Sequence, residues 1–193
     1  MEINPLKQIN VWLDEQIRAS KAKIPTACCL STQGTDGFPN SRFVSLKGIE
    51  QENFVITGPI TSRKGVEIAR NKKVGLSFWW PETERQVRVQ GIASPLPSEM
   101  ADTYFEERSR ESQLVSIISE QGKQLADHDA LKERYNQLIS TTTEKRFKRP
   151  NGWNGYLIKP VRIELMEFST NRFHKRTLFE LVREEWKSIQ LQP

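Results

Sequence analysis

The 193-residue sequence is poor in the features that mark disulfide-rich, metal-binding and membrane-spanning proteins. It contains two cysteines, the adjacent Cys28 and Cys29, and two histidines. Adjacent cysteines build neither a disulfide framework nor a metal-ligand spacing, so we interpret them as small apolar residues of a buried strand. No apolar run reaches the roughly 20 residues needed to cross a bilayer, and residues 1–16 lack the pattern of a secretory signal. We therefore expect a cytoplasmic protein with no metal site and no membrane partner.

Nucleotide-binding signatures and blocks of one charge sign are also missing. Neither G-x-G-x-x-G nor a Walker A sequence occurs, which argues against a doubly wound nucleotide-binding sheet. Lysine and arginine together number 29, against 24 for aspartate and glutamate, which gives a formal net charge of +5. The cations are scattered among acidic residues, so we interpret most of them as solvated surface charges. A mild positive excess of this kind suits a phosphorylated small molecule as well as a nucleic acid.

The order of the predicted elements is typical of an α+β fold. Apolar residues recur at three- and four-residue intervals over residues 5–20, which predicts an amphipathic helix. Residues 48–52 are predicted to join two strands as a hairpin. The other predicted elements are strands at 26–31, 42–46, 53–57, 74–80 and 84–92, a helix from Thr61 or Ser62 to Asn71, a helical insert at 98–140 with breaks near Ser109 and Gly122, and strands at 155–168, 173–181 and 186–191. Because hairpin-length connections dominate, we expect one domain over residues 1–193, an antiparallel β-barrel with helices packed outside it.

Two short segments have the composition of anion sites. Arg42–Lys47 is strand-like, apolar in the middle and basic at both ends, so it can present cations to two separate anions. The alternative is an edge strand whose cations reach solvent. Thr61–Gly65 lies at a helix start, where backbone N–H groups, the helix dipole and two cations can form a phosphate cradle. The alternative there is an ordinary helix cap followed by surface charges.

Further along the chain, neutral and cationic donors recur. Gln86 lies on a predicted strand, and its amide can both donate to and accept from a planar heterocycle. A solvated strand face is the alternative. Tyr104, Arg108 and Ser112 are spaced at i, i+4 and i+8, so they share one face if the helix continues. A phenol, a guanidinium and a hydroxyl on one face form a donor set for a phosphate, although simple helix-surface polarity explains the spacing equally well.

A basic strand face is predicted near the C-terminus. Arg172, His174 and Arg176 alternate along a predicted strand, so all three point to one side. Three such groups rarely serve packing, whereas the other histidine, His128, lies in a polar helical stretch and is interpreted as a surface residue. No Ser-His-Asp set, carboxylate pair or metal-binding set stands out. The sequence therefore favours anion binding over hydrolysis, and redox chemistry would need a cofactor.

Taken in order from about Pro5 to Pro193, these segments resemble the pyridoxine/pyridoxamine 5′-phosphate oxidase family. The resemblance rests on Arg42–Lys47, Ser62-Arg63-Lys64, Glu84-Arg85-Gln86-Val87, Tyr104…Arg108…Ser112-Gln113, Gln121 and Arg172–Arg176. It implies a split β-barrel homodimer with FMN at the subunit interface. The residues that it implies in FMN binding are Arg42, Phe43, Val44, Ser45, Leu46, Lys47, Thr57, Arg63, Lys64, Gln86, Gln121 and Arg176. Those implied in holding the substrate phosphate are Lys47, Tyr104, Arg108 and Ser112, and the catalytic pair implied against the substrate ring is Arg172 and His174.

The resemblance also implies a reaction. A hydride passes from the substrate C4′ carbon to the flavin, O2 reoxidises the flavin with release of H2O2, and the product is pyridoxal 5′-phosphate. Two alternatives stay open: an oxidase of the same fold that acts on another substrate, such as a phenazine precursor, and a non-catalytic module that binds flavin or a vitamin B6 phosphate. Since two phosphates account for the cations, we expect no nucleic-acid partner.

Several positions depart from the family pattern, mostly on the flavin side. Ser169 follows Glu167-Phe168 where the family usually has a tryptophan, and we interpret the following turn as shortened. Ile56 stands where the family commonly has a tyrosine, Gly122 where it commonly has a serine, and Lys175 where it usually has an aspartate. Loss of an aromatic contact beside the flavin would weaken FMN binding. The resemblance therefore supports the substrate class better than it supports tight flavin retention.

Overall fold

The polypeptide forms an antiparallel sheet that closes on itself and carries helices on its outside. The computed structural model describes residues 4–144 and 146–193. Its strands are β1 (Ala27–Gln33), β2 (Pro39–Glu50), β3 (Asn53–Pro59), β4 (Lys73–Trp80), β5 (Arg85–Pro95), β6 (Trp153–Glu167), β7 (Lys175–Val182) and β8 (Glu185–Leu191). Its α-helices are α1 (Pro5–Ala19), α2 (Arg63–Arg70), α3 (Ser98–Glu106), α4 (Arg110–Ile118) and α5 (His128–Thr141). The predicted α+β class, an antiparallel split barrel with flanking helices, is confirmed.

Strand pairing closes six of the strands into a barrel. The order across the sheet is β3-β2-β1-β4-β5-β6-β7-β8, every pair is antiparallel, and β3 also pairs with β6. That last pairing joins the two ends of the six-strand segment, so these strands have no free edge between them. β6 pairs with β3 through residues 153–158 and with β7 through residues 162–167. One long strand therefore connects the barrel to the C-terminal β7–β8 hairpin.

Alternating side chains fill the barrel. In β4 the buried residues are Val74, Leu76, Phe78 and Trp80, and the residues between them are half-buried or exposed. This period of two is expected of a strand with one face on the core. The ring of Phe78 lies between those of Phe54 and Trp80, with centroid distances of 6.3 and 5.4 Å. The barrel interior is therefore a packed aromatic and aliphatic core.

The two adjacent cysteines lie in β1, as the sequence predicts. Both are free thiols. Cys28 is fully buried in the core, and burial, followed by the neighbouring Cys29, raises the pKa of Cys28 to about 12. Cys29 points to the other face of the strand and is half-buried.

Helix α1 covers the barrel with an apolar stripe. The Asn4 side chain accepts the Leu6 N–H at 2.9 Å and so caps the helix start. Ile9, Trp12 and Leu13 are buried in the barrel core. Each large side chain buried in this way contributes about 1.5–3 kcal/mol to folding. The amphipathic N-terminal helix predicted from the sequence is confirmed. Among the described residues, no helix is long and apolar enough to cross a membrane.

The predicted hairpin over residues 48–52 is wrong in its length. β2 continues to Glu50, and only Gln51 and Glu52 form the loop before β3. The pairing of β2 with β3 shifts register between Leu46 and Gly48. This irregularity lets β2 keep its partner past Gly48, because a bulge absorbs one extra residue without ending the ladder.

The helical insert is broken where the sequence predicts, and the breaks separate three residues predicted to share one helix face. α3 ends at Glu106 and α4 begins at Arg110. The Ser109 hydroxyl accepts the Ser112 N–H at 3.3 Å and caps the new helix. Tyr104, Arg108 and Ser112 therefore lie on two helices and the corner between them, so the single-face arrangement is wrong.

The predicted strand over residues 173–181 begins too early. β7 starts at Lys175, so Arg172 and His174 lie in the turn after β6 and share no strand face with Arg176. The Asn171 side chain is the physical reason, because its Oδ1 accepts the Phe173 N–H at 3.0 Å and offers the backbone an alternative to the ladder. Arg172 itself has a φ of 69°, outside the extended region.

The β7–β8 turn stores backbone strain that glycine should release. Arg183 and Glu184 have φ angles of 50° and 67°, as a two-residue type I′ turn requires. Left-handed backbone costs an L-residue about 1–2 kcal/mol, whereas glycine adopts it freely. We expect Glu184→Gly to raise the free energy of unfolding by about 1 kcal/mol, measured by urea titration at constant m-value. The control Glu185→Gly, inside β8, should lower it by about 0.5–1 kcal/mol. Destabilisation by both variants would contradict the strain.

Candidate ligand-binding site

A cavity of about 360 Å³ lies beside β2 and β3 and is flanked by α2 and α4. This volume falls within the range of small-molecule sites. Its lining residues are Arg42, Phe43, Val44, Ser45, Lys47, Thr57, Gly58, Pro59, Lys64, Arg108, Val115, Ser116, Ser119, Gln121 and Trp153. None of these described residues is acidic, so the charged side chains of the lining are all cationic.

Neighbouring cations in this cavity make the protonated, charged forms of its lysines less favourable. Burial lowers the pKa of Lys47, the neighbouring Arg108 lowers it further, and Glu107 opposes the shift. Burial also lowers the pKa of Lys64, with a contribution from Arg42. Cations held this close repel each other, and a bound anion would relieve the repulsion. The cavity is therefore suited to an anionic group such as a phosphate.

Lys64 enters the cavity from the first turn of α2. Its Nζ donates to Ser62 Oγ and to Gln121 Oε1, each at 3.0 Å. The start of the helix lies close against Ile60, since a Cβ on Gly65 would be 2.0 Å from the Ile60 carbonyl oxygen. Only glycine permits this approach. The helix-start segment predicted as a phosphate cradle therefore reaches the cavity through Lys64.

A buried carboxylate, Glu67 of α2, holds a second cation in place. It is 1% exposed, and its oxygens accept hydrogen bonds from Thr32 at 2.6 Å, Asn40 at 2.8 Å, Arg42 at 2.9 Å and Arg63 at 3.0 Å. Burial acts to raise the pKa of Glu67, but these four hydrogen bonds outweigh burial and lower the pKa to about 2. Glu67 thus fixes Arg42 at the cavity, whereas Arg63 does not line it.

Arg108 reaches the cavity from the corner between α3 and α4. Its guanidinium carbon is 5.3 Å from the centroid of the Trp153 ring, a cation–π arrangement. Its Nη2 donates to the Ser112 carbonyl oxygen at 3.1 Å and to Ser116 Oγ at 3.2 Å. The buried Nε has no hydrogen-bond partner among the described residues. This guanidinium therefore keeps one buried N–H without a hydrogen bond.

Two other residues predicted to hold the substrate phosphate are engaged elsewhere. Tyr104 Oη donates to Glu50, and burial followed by this hydrogen bond raises the pKa of Tyr104. Ser112 Oγ accepts from Ser109 Oγ at 3.1 Å. Neither Tyr104 nor Ser112 lines the cavity. Of the three donors predicted on this segment, the cavity brings in Arg108.

A second group of predicted site residues lies on the outer face of the sheet. Gln86 of β5 is in register with Met166 of β6, and Gln86 Nε2 is 3.8 Å from Met166 Sδ. Arg176 of β7 donates from Nε and Nη2 to one oxygen of Glu164, at 2.9 and 2.7 Å. Arg88 pairs with the other oxygen of that carboxylate at 3.1 Å. Neither Gln86 nor Arg176 lines the cationic cavity.

The turn after β6 fixes the catalytic pair that the sequence implies. The Ser169 N–H donates to His174 Nδ1 at 3.1 Å, and the Arg172 N–H donates to the Ser169 carbonyl oxygen at 3.1 Å. The Phe168 ring lies 4.9 Å from the His174 ring and 4.8 Å from the Trp79 ring. These contacts hold the His174 ring and the Arg172 backbone in one turn, and neither residue lines the cationic cavity of the same chain.

Met166 is the apolar side chain beside Gln86. Ser169, the predicted flavin-side departure from the family pattern, lies three residues further along, in the turn. At the position opposite Gln86 the contact surface is therefore a flexible thioether. Met166 has no role predicted from the sequence, because a single methionine in an apolar strand carries no distinguishing signal.

Two residues of the cavity region, Glu67 and Trp153, were also missed. Glu67 follows Arg63 at i+4, which is an ion-pair spacing, but the pattern is common on exposed helix surfaces. Trp153 lies at the start of β6 and supports the Arg108 guanidinium. No local pattern marks either residue, because Glu67 contacts Arg42 and Trp153 contacts Arg108, and each contact joins parts of the chain far apart in sequence.

Phe43 connects the two groups of residues. It is 80% exposed, and it borders both the cationic cavity and a second cavity of about 340 Å³, which Gln86 and Trp79 also line. Phe173 is 76% and Trp79 is 56% exposed. Exposed aromatic side chains of this size mark surfaces that bind a ligand or another protein.

Similar sequences point to one family. The family model described as pyridoxamine 5′-phosphate oxidase matches residues 13–141, and the model described as the pyridoxine 5′-phosphate oxidase C-terminal dimerisation region matches residues 153–193. A protein from Legionella pneumophila (strain Paris) named pyridoxine/pyridoxamine 5′-phosphate oxidase is 38% identical over 192 residues, covering 100% of this chain and 89% of that protein. A protein of the same name from Leptospira biflexa serovar Patoc is 34% identical over 190 residues, covering 98% and 89%.

Solved structures extend the likeness. PhzG from Burkholderia lata 383, in complex with tetrahydrophenazine-1-carboxylic acid, superposes with a TM-score of 0.92 at 29% identity and covers 98% of this chain and 93% of that chain. A pyridoxamine 5′-phosphate oxidase-related, FMN-binding protein from Nostoc punctiforme PCC 73102 superposes with a TM-score of 0.81 at 16% identity, covering 100% of both chains. At that identity the second likeness shows the fold alone.

The buried carboxylate of Glu67 makes the free energy of unfolding depend on pH in the acidic range. The folded pKa of Glu67, about 2, lies below its ordinary value of 4.5, so its ionised form stabilises the fold above pH 4.5, and this contribution is lost as the pH falls towards 2. A shift of this size corresponds to about 3 kcal/mol. We expect Glu67→Gln to lower the free energy of unfolding at pH 7 by about 2–3 kcal/mol, and this deficit to narrow between pH 4.5 and pH 2. Urea titrations across that range test it.

Glu133→Gln is the matched control for this experiment, because Glu133 is exposed on α5. It should leave the unfolding free energy within about 0.5 kcal/mol of wild type at every pH. A deficit for Glu67→Gln that stays constant from pH 7 to pH 2 would show that the charge of Glu67 is not what stabilises the fold.

Proposed function

The chain belongs to the pyridoxine/pyridoxamine 5′-phosphate oxidase family, and we propose that it oxidises pyridoxine 5′-phosphate or pyridoxamine 5′-phosphate to pyridoxal 5′-phosphate. When bound, FMN would supply the redox chemistry: it would accept a hydride from the substrate C4′ carbon as the substrate gives up a proton, and O2 would take up the two electrons and two protons and leave as H2O2. With pyridoxamine 5′-phosphate, water would then replace the amine nitrogen, which would leave as ammonia. The observation that carries this proposal is the cavity lined by Arg42, Lys47, Lys64 and Arg108 with no acidic side chain in its lining. Cofactor and substrate each bring a phosphate that such a cavity can hold.

The chemistry of the cavity fits the FMN phosphate. Its donors are Lys64 Nζ, the Arg42 guanidinium and the Gln121 amide, all of which phosphate oxygens accept from. We propose that FMN is held from this side by Arg42, Phe43, Val44, Ser45, Leu46, Lys47, Thr57, Arg63, Lys64 and Gln121. The Leu46 side chain is buried in the core, so this residue contributes its backbone. Arg63 contributes by exchanging its exposed partner Asp36 for the phosphate.

A second protomer completes the site in this proposal. Gln86 and Arg176 do not line the cavity of their own chain, so we assign them to the FMN bound in the partner's cavity. The segment that matches the dimerisation region, residues 153–193, includes Arg172–Arg176. Covering the exposed Phe43 and Phe173 would also favour association. The single FMN-binding domain over residues 1–193 would then act as a homodimer with FMN between the protomers.

Substrate binding uses the other end of the cationic cavity. Lys47 and Arg108 lie close enough for Arg108 to lower the pKa of Lys47, and we assign both to the substrate phosphate. Tyr104 joins them by exchanging Glu50 for a phosphate oxygen, and Ser112 adds a hydroxyl. We assign Arg172 and His174 to the pyridine ring, which they orient so that the C4′ carbon faces the cofactor.

A second candidate function is oxidation of a different substrate on the same scaffold. The structural likeness to PhzG, at a TM-score of 0.92, is the observation that favours it. The side chain beside Gln86 is the flexible thioether of Met166, which shapes the surface that a ring would meet there. This candidate shares the fold, the cofactor and the cationic cavity with the first, and it differs in the molecule that reaches the cofactor.

The test is turnover by purified protein with added FMN and pyridoxine 5′-phosphate. We expect pyridoxal 5′-phosphate and H2O2 to form in equal amounts. Pyridoxamine 5′-phosphate is tested as substrate in parallel. A yellow, FMN-loaded protein that turns over neither compound would favour a different substrate. A protein that neither binds FMN nor forms peroxide would contradict the proposed enzyme and leave a non-catalytic module.

The assignment of Arg172 predicts a separation of turnover from cofactor binding. Arg172→Ala should lower kcat/KM by about 100-fold or more, because a group that orients the substrate is lost, while the FMN dissociation constant changes by less than about threefold. Lys175→Ala is the control, since Lys175 pairs with Glu167 and is 70% exposed; it should leave both quantities near wild type. Parallel losses of turnover and FMN affinity in Arg172→Ala would place Arg172 on the cofactor instead.

A further inference from the structure

Gln113 is a residue of the family-like motif set to which the proposed function assigns no role. Its side chain lies in the first turn of α4 and is 1% exposed. Its amide Nε2 donates to the carbonyl oxygens of Phe105 at 3.0 Å, Glu106 at 3.2 Å and Arg108 at 3.1 Å, and its Oε1 accepts the Phe147 N–H at 3.0 Å. A buried amide that is satisfied on both sides ties these backbone segments together.

These hydrogen bonds form the corner between α3 and α4. The last carbonyls of a helix have no partner within the helix, and Gln113 supplies donors for those of Phe105 and Glu106 at the end of α3. The Gln113 N–H also donates to the Ser109 carbonyl oxygen at 2.9 Å. The Gln113 side chain therefore stabilises the chain direction at this corner together with the Ser109 cap.

Arg108 lies within this corner and is the residue that the corner presents to the cavity. Its backbone carbonyl is bound by Gln113, while its guanidinium lies over the Trp153 ring. The same ring meets Phe105 edge-on at 5.0 Å, and Gln113 also binds the Phe105 carbonyl. Gln113 therefore fixes both the arginine and the aromatic surface on which it rests.

We propose that Gln113 is the positioning residue of Arg108 in the substrate-phosphate site. It does not line the cavity, so it acts by holding the Arg108 backbone where the guanidinium meets a phosphate. This inference rests on the proposed function for the identity of the substrate. Binding of a phosphate group at Arg108 does not depend on the proposed function, because any phosphorylated ligand would bring one. A misplacement of the order of 1 Å is enough to weaken such a contact strongly.

The test compares variants of the FMN-saturated enzyme with pyridoxine 5′-phosphate as substrate. Gln113→Met keeps the length of the side chain and removes its donors and its acceptor. Gln113→Glu keeps an acceptor for the Phe147 N–H and cannot donate to the three carbonyls. For both we expect KM to rise about tenfold or more, with kcat and the FMN dissociation constant within about twofold of wild type.

The control is Gln137→Met, the same chemical change at an exposed position of α5, which should leave all three constants unchanged. A purely structural role for Gln113 would lower kcat and FMN affinity together with substrate affinity, and that result would overturn the proposal. If Gln113→Met fails to fold, Gln113→Glu decides by the same criteria.

A double variant adds a readout that a general loss of stability does not reproduce. With Arg108→Met already present, Gln113→Met should raise KM by less than about twofold more, because its effect passes through a guanidinium that is absent. If the two effects multiply, Gln113 does not act through Arg108.

Inorganic phosphate separates this inference from the proposed function. Its binding to the FMN-saturated protein is measured by calorimetry, with no substrate and no turnover. If the wild-type protein binds phosphate but does not oxidise pyridoxine 5′-phosphate, the proposed function fails while Gln113 remains testable. Equal losses of phosphate affinity in Gln113→Met and Arg108→Met would support the proposal. Wild-type affinity in Gln113→Met, or no phosphate binding by the wild type, would overturn it.

Discussion

One buried carboxylate holds the cationic cavity together. Glu67 lies on α2, and the donors that surround it come from β1, β2 and α2 itself. An isolated buried charge costs several kcal/mol of desolvation, and only a full set of hydrogen bonds offsets that cost. Because the set spans the helix and two strands, α2 has one position on the barrel that satisfies it. Lys64, at the start of the same helix, takes its place in the cavity from that position.

The geometry divides the residues proposed to bind ligands between two surfaces of one chain. The cavity contains Arg42, Lys47, Lys64 and Arg108, while Gln86 and Arg176 lie on the outer face of the sheet. β6 makes this division possible, because one half of it pairs with β3 of the barrel and the other half pairs with β7 of the C-terminal hairpin. In the proposed homodimer, each surface would carry part of a site. Two copies related by symmetry would complete both sites at once, which would couple assembly to ligand binding.

The sequence predicts the parts of the fold that depend on local periodicity. The apolar stripe of α1 and the strand over residues 74–80 follow from neighbours in the sequence, and the structure confirms both. Closure of the barrel depends on β3 meeting β6, a pairing between segments about a hundred residues apart that leaves no local signal. Local patterns also predict helices and strands that are too long where a side chain accepts a hydrogen bond from a nearby backbone N–H. Ser109 starts a new helix, and Asn171 keeps the residues after it out of the ladder.

The candidate site is predicted unevenly for the same reason. Residue types with a strong chemical signature, such as Arg108 and Lys64, are recognised from the sequence and found in the cavity. Residues that act through their surroundings are not. Glu67 and Trp153 look like an ordinary helix carboxylate and a core aromatic until the contacts between distant segments are known, and Gln113 belongs to the family-like motif set without a role that the sequence identifies. Their importance comes from burial and from the number of partners, neither of which a local pattern reports.

The hydrogen bond that His174 receives has a consequence for what its imidazole can do. Nδ1 accepts the Ser169 N–H, so in the neutral ring the hydrogen sits on Nε2, the nitrogen left to meet a ligand. A ring fixed in this tautomer offers a donor and cannot remove a proton at that nitrogen. In the proposed reaction such a ring would steady an electron-rich atom of the substrate, and the proposed hydride transfer would need no base at this nitrogen. The turn after β6 thus selects, through one backbone amide, between two kinds of histidine chemistry.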